Sequence, residues 1–519
     1  MARPDPHSVF DDAQPRVQRI DWRARFDFAA RVIEAEATLV IDGSGGDWLD
    51  LDARDLVIER VSDGDGTRLD LELAAPRSFL GQRLRILRPP CEVRIRYRTS
   101  PAATALHWFN QSVYSQCQPI YARSLLPLPD SPSSRIAYRA SLTAPRALTA
   151  LMAATPIGRV EAGDEATTSY EMVEPIAPYL FAFAVGDYVA RELSPRSRVW
   201  AAPALVEAAA LALADVERWI GEAEQLFGAY PWGRFDLLVA PASFPYGGME
   251  NPRLAFLSPT LLADSEALLG VVAHELSHAW SGNLVTAASA EHFWLNEAFT
   301  VWGERRILAA VAGADVAARH AAAGRRALET ALVAFAAQPE RTHLVLALDG
   351  VDPDEGLSIV PYEKGYLLLR ALEERLGADG FAAFVRDYFT RFAGRAITSA
   401  DFAGLAARHA PDFRFAEWFD QSALPNRAAS DGEPETTAAV EALPADWLNQ
   451  LQSGRIKQLR PIYLTLCRDP ARRSEAARLY RQHRDAYHPI ARQQLERLFR
   501  EQGVAIEQVK PLGLGRRPG

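Results

Sequence analysis

Two histidines one helical turn apart, with a glutamate beside the first, are the sharpest chemical signal in this chain of 519 residues. They stand in Val271-Val272-Ala273-His274-Glu275-Leu276-Ser277-His278-Ala279-Trp280, which reads as a helix with its N-cap at Asp264 or Ser265 and a stop at Gly282-Asn283. At positions i and i+4 the imidazoles project from one face, about 6 Å apart along the axis. They can converge on one zinc ion at roughly 2.0–2.1 Å. Glu275 lies beside them, where it can take a proton from water on that metal. A catalytic zinc needs a third protein ligand and one open position. Glu297 stands nineteen positions after His278, in Trp294-Leu295-Asn296-Glu297-Ala298-Phe299-Thr300, and an antiparallel second helix can return its carboxylate to the metal. His292 is nearer in sequence, but a residue just before that helix faces back poorly and reads as a surface or capping histidine.

Upstream, Pro245-Tyr246-Gly247-Gly248-Met249-Glu250-Asn251-Pro252 follows a short strand expected at 235–240. Paired glycines let backbone approach a ligand closely, and a carboxylate held there beside a cation suits a substrate ammonium.

The elements that must carry these residues change character along the chain. In the first third Leu69, Leu71 and Leu73 alternate with polar neighbours, as do Val93, Ile95 and Tyr97, the period-2 pattern of half-buried strands. Asp63-Gly64-Asp65-Gly66 between such runs is a hairpin turn signal. Strand-like runs continue through Tyr179 to Val189, so residues 1–192 are expected to form a mostly antiparallel β domain. From about Ala202 the period becomes 3.6. Helices are predicted over 205–227, 264–281, 294–310, 315–336, 362–376, 378–392 and 399–409, in a second domain spanning 193–424. Residues 425–442 read as a linker and 443–519 as a small terminal helical domain of four amphipathic stretches. The fold class is therefore multidomain α+β.

Composition narrows the function classes. Hydrophobic residues at 48% and charged ones at 24% are ordinary for a globular chain, which excludes disordered and fibrous classes. A net charge of −9 without basic runs argues against nucleic-acid or anionic-membrane partners. Cys91, Cys117 and Cys467 are three widely spaced cysteines with neither disulfide-framework nor zinc-knuckle spacing, as in a reducing compartment. With no apolar stretch of signal or membrane-spanning length, a cytoplasmic location and no membrane contact are expected, and a monomer.

Taken together, PYGGMEN, HELSHAWSGN and WLNEAFT resemble the motif set of the gluzincin zinc aminopeptidases of the M1 type, nearest to the leukotriene A4 hydrolase and aminopeptidase B branch. The likeness extends to Tyr97-Arg98-Thr99-Ser100-Pro101, Ser115-Gln116-Cys117-Gln118, Val360-Pro361-Tyr362-Glu363-Lys364-Gly365 and Gly454-Arg455-Ile456-Lys457. It implies an N-terminal β domain, a thermolysin-like catalytic domain and a C-terminal helical domain. It also implies one zinc ion per chain, with His274, His278 and Glu297 as ligands and Glu275 as general base. Tyr362 matches the phenol that hydrogen-bonds the oxyanion. Glu250 with Gln118 matches the residues that hold a free α-amine, within the Tyr246, Gly247, Gly248, Met249 loop. Arg455 with Lys457 matches the site for the carboxylate of a short peptide, and Asp354 an acidic position in the substrate pocket that hints at arginine.

The resemblance thus implies removal of N-terminal residues from short peptides. Two departures bear on it. Leu357 replaces a tyrosine that the hydrolase branch uses in epoxide chemistry, which weighs against lipid-epoxide hydrolysis, alone or as a second activity. Between Leu424 and Gly454 only about thirty residues stand where family members carry most of a helical domain, so the C-terminal domain is expected to be shortened. A non-catalytic peptide-binding scaffold would have lost a ligand, the base or the tyrosine, and all are present.

Overall fold

The structure is a computed structural model that describes residues 5–42, 46–356 and 358–422, and then 424, 459, 462–463, 466–467, 472–483, 495–496, 498–500 and 504. By internal packing the chain divides into two units. One comprises Met1–Val239, Gly248–Leu257 and Leu261–Glu435; the other comprises Ala240–Gly247, Ser258–Thr260 and Thr436–Gly519.

The first unit opens with a seven-stranded sheet in the order Thr155–Ala162, Glu165–Ile176, Ile136–Pro145, Val17–Asp27, Val32–Ile41, Glu92–Arg98, Val57–Asp63. Only the pairing of Val17–Asp27 with Ile136–Pro145 is parallel; the others are antiparallel. The alternation at Val93, Ile95 and Tyr97 is realised, all three being fully buried. Tyr97 accepts a hydrogen bond from the Trp22 indole at 2.8 Å, which satisfies two polar atoms inside that core. The turn at Asp63 forms because its Oδ1 accepts from the N–H groups of Asp65 and Thr67 while Gly66 takes φ +87°.

Two strand expectations are corrected. Only Leu71–Leu73 of the 69–73 run forms a strand, at the edge of a three-stranded sheet, and Leu73 is 48% exposed because an edge strand has one neighbour only. The run from Tyr179 to Val189 is interrupted. Pro178 opens a 3-10 turn through Leu180, and the strands are Phe183–Gly186 and Val189–Ser194.

A five-stranded sheet and four helices position the candidate site. The sheet runs Val189–Ser194, Ser197–Ala201, Asp236–Val239, Leu254–Leu257, Gly248–Met249. One strand was expected after residue 202. Leu254–Leu257 escapes the pattern because all four residues are buried and show no alternation, and Gly248–Met249 is too short to show any. The helix bearing the histidines is Ser265–Ser277, with the Asp264 side chain accepting from Ala267 N–H at 3.0 Å; it ends four residues short of the expected 281. Trp294–Ala312 is buried on nearly every side, packed between Ser265–Ser277, Ala314–Ala334 and Val360–Phe392. Its Phe299 ring lies 4.6 Å from Tyr388 and 5.3 Å from Phe389, and burying each such ring stabilises by about 1.5–3 kcal/mol. The boundary expected between 376 and 378 is a kink inside Val360–Phe392, where Gly377 has φ +72°. The 205–227 run is two helices, Val206–Ala212 and Val216–Phe227.

In the second unit the helix Arg473–His483 contributes Ala476, Leu479 and Tyr480 to a core with Tyr463, Leu495 and Phe499. Tyr246 packs against that core. The linker expected at 425–442 lies outside the described residues. Among the described residues no helix is long and apolar enough to cross a membrane.

Candidate active site

The helical spacing does what i, i+4 geometry demands. His274 Nε2 and His278 Nε2 stand 3.2 Å apart, and Glu297 Oε2 lies 3.4 Å from the first and 3.6 Å from the second. Four ligand atoms at 2.0–2.1 Å from a zinc ion form a tetrahedron with edges of about 3.3–3.4 Å. The observed triangle is one face of it. Glu297 Oε2 is also buried without a hydrogen-bond partner, an expensive state for a carboxylate oxygen unless a cation completes it. These residues therefore fit a zinc ion.

The other ring nitrogens decide where the lone pairs point. His278 Nδ1 donates to Ser281 O at 2.8 Å, and His274 Nδ1 donates to Glu304 Oε2 at 3.0 Å. With both Nδ1 atoms committed, both Nε2 atoms face Glu297. Glu304 escaped the sequence reading. It lies seven residues, two helical turns, after Glu297 on the same helix, and that spacing was the signal available. Its Oε1 in turn meets His320 Nδ1 at 3.3 Å.

Burial dominates the electrostatics of the pair. It disfavours charge on His278 and lowers its pKa to about 4. On His274 the same burial is outweighed by the nearby carboxylates of Glu297 and Glu304, and the pKa rises to about 10. Without a metal, His274 thus favours its protonated form and His278 its neutral one. Glu304, buried yet hydrogen-bonded to His274 and His320, falls to about 2.

Glu275 and Glu250 face the same space. Ligand atoms of Glu250, Glu275 and His278 all lie within 4.8 Å of one another, a second possible metal group. The first group fits zinc better, because it offers two imidazole nitrogens and a carboxylate at tetrahedral spacing. Gly248 is required by this crowding: a Cβ there would fall on the Glu275 carboxylate. Glu250 is 5% exposed, and its Oε1 accepts from Gln118 Nε2 at 3.3 Å. Burial, with the charges of Glu275 and Glu297 beside it, holds its carboxyl well above the usual carboxylate range. The Glu250 carbonyl is fixed by Asn283 Nδ2 at 2.7 Å.

Tyr362 enters from the first turn of Val360–Phe392, its ring stacked on His274 at 6.0 Å and edge-on to Phe293 at 6.0 Å. Buried partners hold that helix start. Glu363 pairs with Arg305 at 2.6 Å, Arg305 lies 3.9 Å over the Tyr366 ring, and Lys364 donates to Thr342 O at 2.8 Å.

The remaining candidates are distributed differently. The Met249 side chain points into the core, its sulfur accepting from Gln116 Nε2 at 3.2 Å. Asp354 accepts from the Tyr121 hydroxyl. Tyr246 and Gly247 belong to the second unit. Arg455, Lys457 and the departure at Leu357 lie outside the described residues. His292 is not among the residues gathered there; its Nδ1 meets Ser399 Oγ at 3.0 Å, 107 residues on.

Comparison with known proteins identifies the family. The Peptidase family M1 domain matches residues 212–412, and the C-terminal domain of leukotriene A4 hydrolase matches residues 435–499. Leukotriene A-4 hydrolase of Xenopus laevis is 36% identical over 419 residues, covering 76% of this chain and 69% of the relative. Leucine aminopeptidase 2 of Aspergillus niger is 37% identical over 396 residues, covering 71% of this chain and 64% of the relative. The solved structure of native leukotriene A4 hydrolase from Saccharomyces cerevisiae superposes with a TM-score of 0.81 at 27% identity, covering 97% of this chain and 98% of that one. The chain therefore belongs to peptidase family M1, as a metallo-aminopeptidase related to leukotriene A4 hydrolase.

Proposed function

We propose that the chain is a cytoplasmic, monomeric aminopeptidase that removes the first residue from short peptides with a free N-terminus, using one zinc ion held by His274, His278 and Glu297. Residues 1–192, 193–424 and 443–519 are its N-terminal, catalytic and C-terminal parts. The observation that carries the reading is a surplus of buried negative charge. Glu250, Glu275 and Glu297 share one enclosed space, and Glu250 resists ionisation there. Such a site calls for two cations. One is the metal between the histidines. The other is an ammonium at Glu250 and Gln118, which meets a carboxylate and an amide oxygen at once.

When bound, zinc supplies a Lewis acid that polarises the scissile carbonyl and acidifies water. The chain's own groups do the rest. Glu275 takes the proton of the attacking water and returns it to the leaving nitrogen. Tyr362 donates a hydrogen bond from its hydroxyl to the oxygen on which negative charge develops. Glu250 and Gln118 hold the α-amine, so the peptide bond presented is the first. Arg455 with Lys457 is assigned the far carboxylate on the resemblance alone.

Hydrolysis of aminoacyl chromogenic amides, each with a free and an N-acetylated amine, tests this. Chelator-sensitive cleavage of the free amines alone is expected. Equal cleavage of acetylated substrates would remove the amine-holding role, and chelator-insensitive turnover would remove the metal.

A further inference from the structure

Glu266, Gly270, His274 and His278 recur at every fourth position and so lie along one stripe of the helix Ser265–Ser277 and its C-cap. The two histidines face Glu297. The other two residues face His320, on the neighbouring helix Ala314–Ala334. A Cβ on Gly270 would stand 2.5 Å from the His320 ring, so only glycine leaves room for the imidazole there. His320 Nε2 lies 3.8 Å from Glu266 Oε1, and the other oxygen of Glu266 accepts from Arg319 at 2.6 Å. On its inner side His320 Nδ1 lies 3.3 Å from Glu304 Oε1, while Glu304 Oε2 serves His274 Nδ1 at 3.0 Å. Glu304, with its pKa lowered to about 2, is ionised and can only accept, so His320 Nδ1 is the donor. One turn beyond His320, the backbone of Gly324 lies against the Arg305–Glu363 pair, where a Cβ would collide with both side chains. The helix carrying His320 is thus seated by close contacts at two successive turns.

Resting on the reading of a zinc ion between His274, His278 and Glu297, we propose that His320 is a positioning residue of the metal site. It fixes the Glu304 carboxylate that aims His274, and Gly270 is the notch that admits it. A carboxylate turns readily about its terminal bond, because that torsion is broad and roughly two-fold. Anchored at Oε2 alone, Glu304 could swing and the His274 ring could follow it. Anchored at both oxygens, by His274 Nδ1 at 3.0 Å and His320 Nδ1 at 3.3 Å, it keeps one orientation. The ring then presents Nε2 at 3.4 Å from Glu297 Oε2, the spacing a shared zinc ion needs. The outer anchor decides little. Glu266 and Arg319 have side chains 43% and 57% exposed, and a pair so open to water holds its geometry weakly. The Glu304 bond and the Gly270 notch are what place the imidazole. His320 therefore acts on the metal through Glu304 and His274.

The test is the zinc dissociation constant of the full chain, measured by competition with a chromogenic chelator, with thermal unfolding of the metal-free chain on the same preparations. His320→Ala should weaken zinc binding about tenfold, the lower end of what an outer partner of a metal ligand contributes. His320→Asn, whose side-chain amide places an N–H donor near the position of Nδ1, should return affinity to within about threefold of wild type. Gly270→Ala should also weaken zinc about tenfold by pushing the ring off Glu304, although alanine is the better helix former and the metal-free chain should melt no lower. In the His320→Ala background the notch is empty, so Gly270→Ala should there add less than about twofold. An unchanged dissociation constant in a folded His320→Ala would overturn the proposal. So would an equal loss in His320→Asn, which would reduce the ring to packing, or full additivity of the two substitutions, which would uncouple the notch from the ring. If His320→Ala does not fold, His320→Asn and Gly270→Ala decide: wild-type affinity in the first with loss in the second supports the role, and affinity unmoved in both removes it. A wild-type chain that binds no zinc would take down the metal reading itself, a result distinct from zinc bound equally by wild type and variants.

Discussion

The backbone of Gly248 lies against the carboxylate of Glu275 so closely that the Cβ which glycine lacks would coincide with it. An edge strand and the histidine-bearing helix thus share one small volume, and the general base is held in place by an absent atom. Gly248→Ala should leave the fold nearly as stable, because the far end of a flexible side chain can move. It should lower kcat about a hundredfold by displacing the base. Thermal unfolding and steady-state kinetics on the same preparation check both halves; full activity would show that Glu275 has no need of its position.

Glu275→Gln removes the proton acceptor without touching the ligand atoms. Turnover should fall by about 10²–10⁴ while zinc content stays at one per chain. Wild-type-like turnover would take Glu275 out of the mechanism.

Glu304 orients His274 through the 3.0 Å bond to Nδ1. Glu304→Ala should weaken zinc binding by about 10–100-fold. Competition against a chromogenic chelator measures this, and an unchanged dissociation constant would reduce Glu304 to a packing residue.

The metal-free pair predicts a pH dependence with a definite sign. With His274 at about 10 and His278 at about 4, the site carries one imidazole proton between those values. Zinc must expel it, so affinity should rise about tenfold per pH unit from roughly pH 6 to 8. Calorimetry in buffers of different ionisation enthalpy counts the proton directly; a count of zero would contradict a protonated His274 in the metal-free site.

Arg305 and Glu363 form a buried ion pair at 2.6 Å under the helix start that presents Tyr362. Arg305→Ala leaves Glu363 buried and unpaired and should cost about 3–5 kcal/mol of stability. Denaturant unfolding checks the figure, and a loss below about 1 kcal/mol would mean that water or another cation replaces the guanidinium.

Much of the centre was legible in order alone. The face shared by His274 and His278 is set by backbone hydrogen bonding, which repeats every 3.6 residues whatever surrounds the helix. The return of Glu297 on a second helix needed only a short connection. The break at Gly377 and the cap at Asp264 were likewise written locally.

What the tertiary structure alone decided is everything that depends on distance in space between residues far apart in the chain. It placed Glu297 Oε2 3.4 and 3.6 Å from the two imidazoles. It also set Gly248 against Glu275 and carried His7 to Leu348 and Val351. It divided the Tyr246-to-Glu250 loop between two packing units. The physical reason is that local spacing is enforced by covalent geometry and the backbone ladder, which any short stretch of sequence carries within itself. Long-range contacts are chosen by the packing of whole side-chain surfaces, and that leaves no periodic mark in the order of residues.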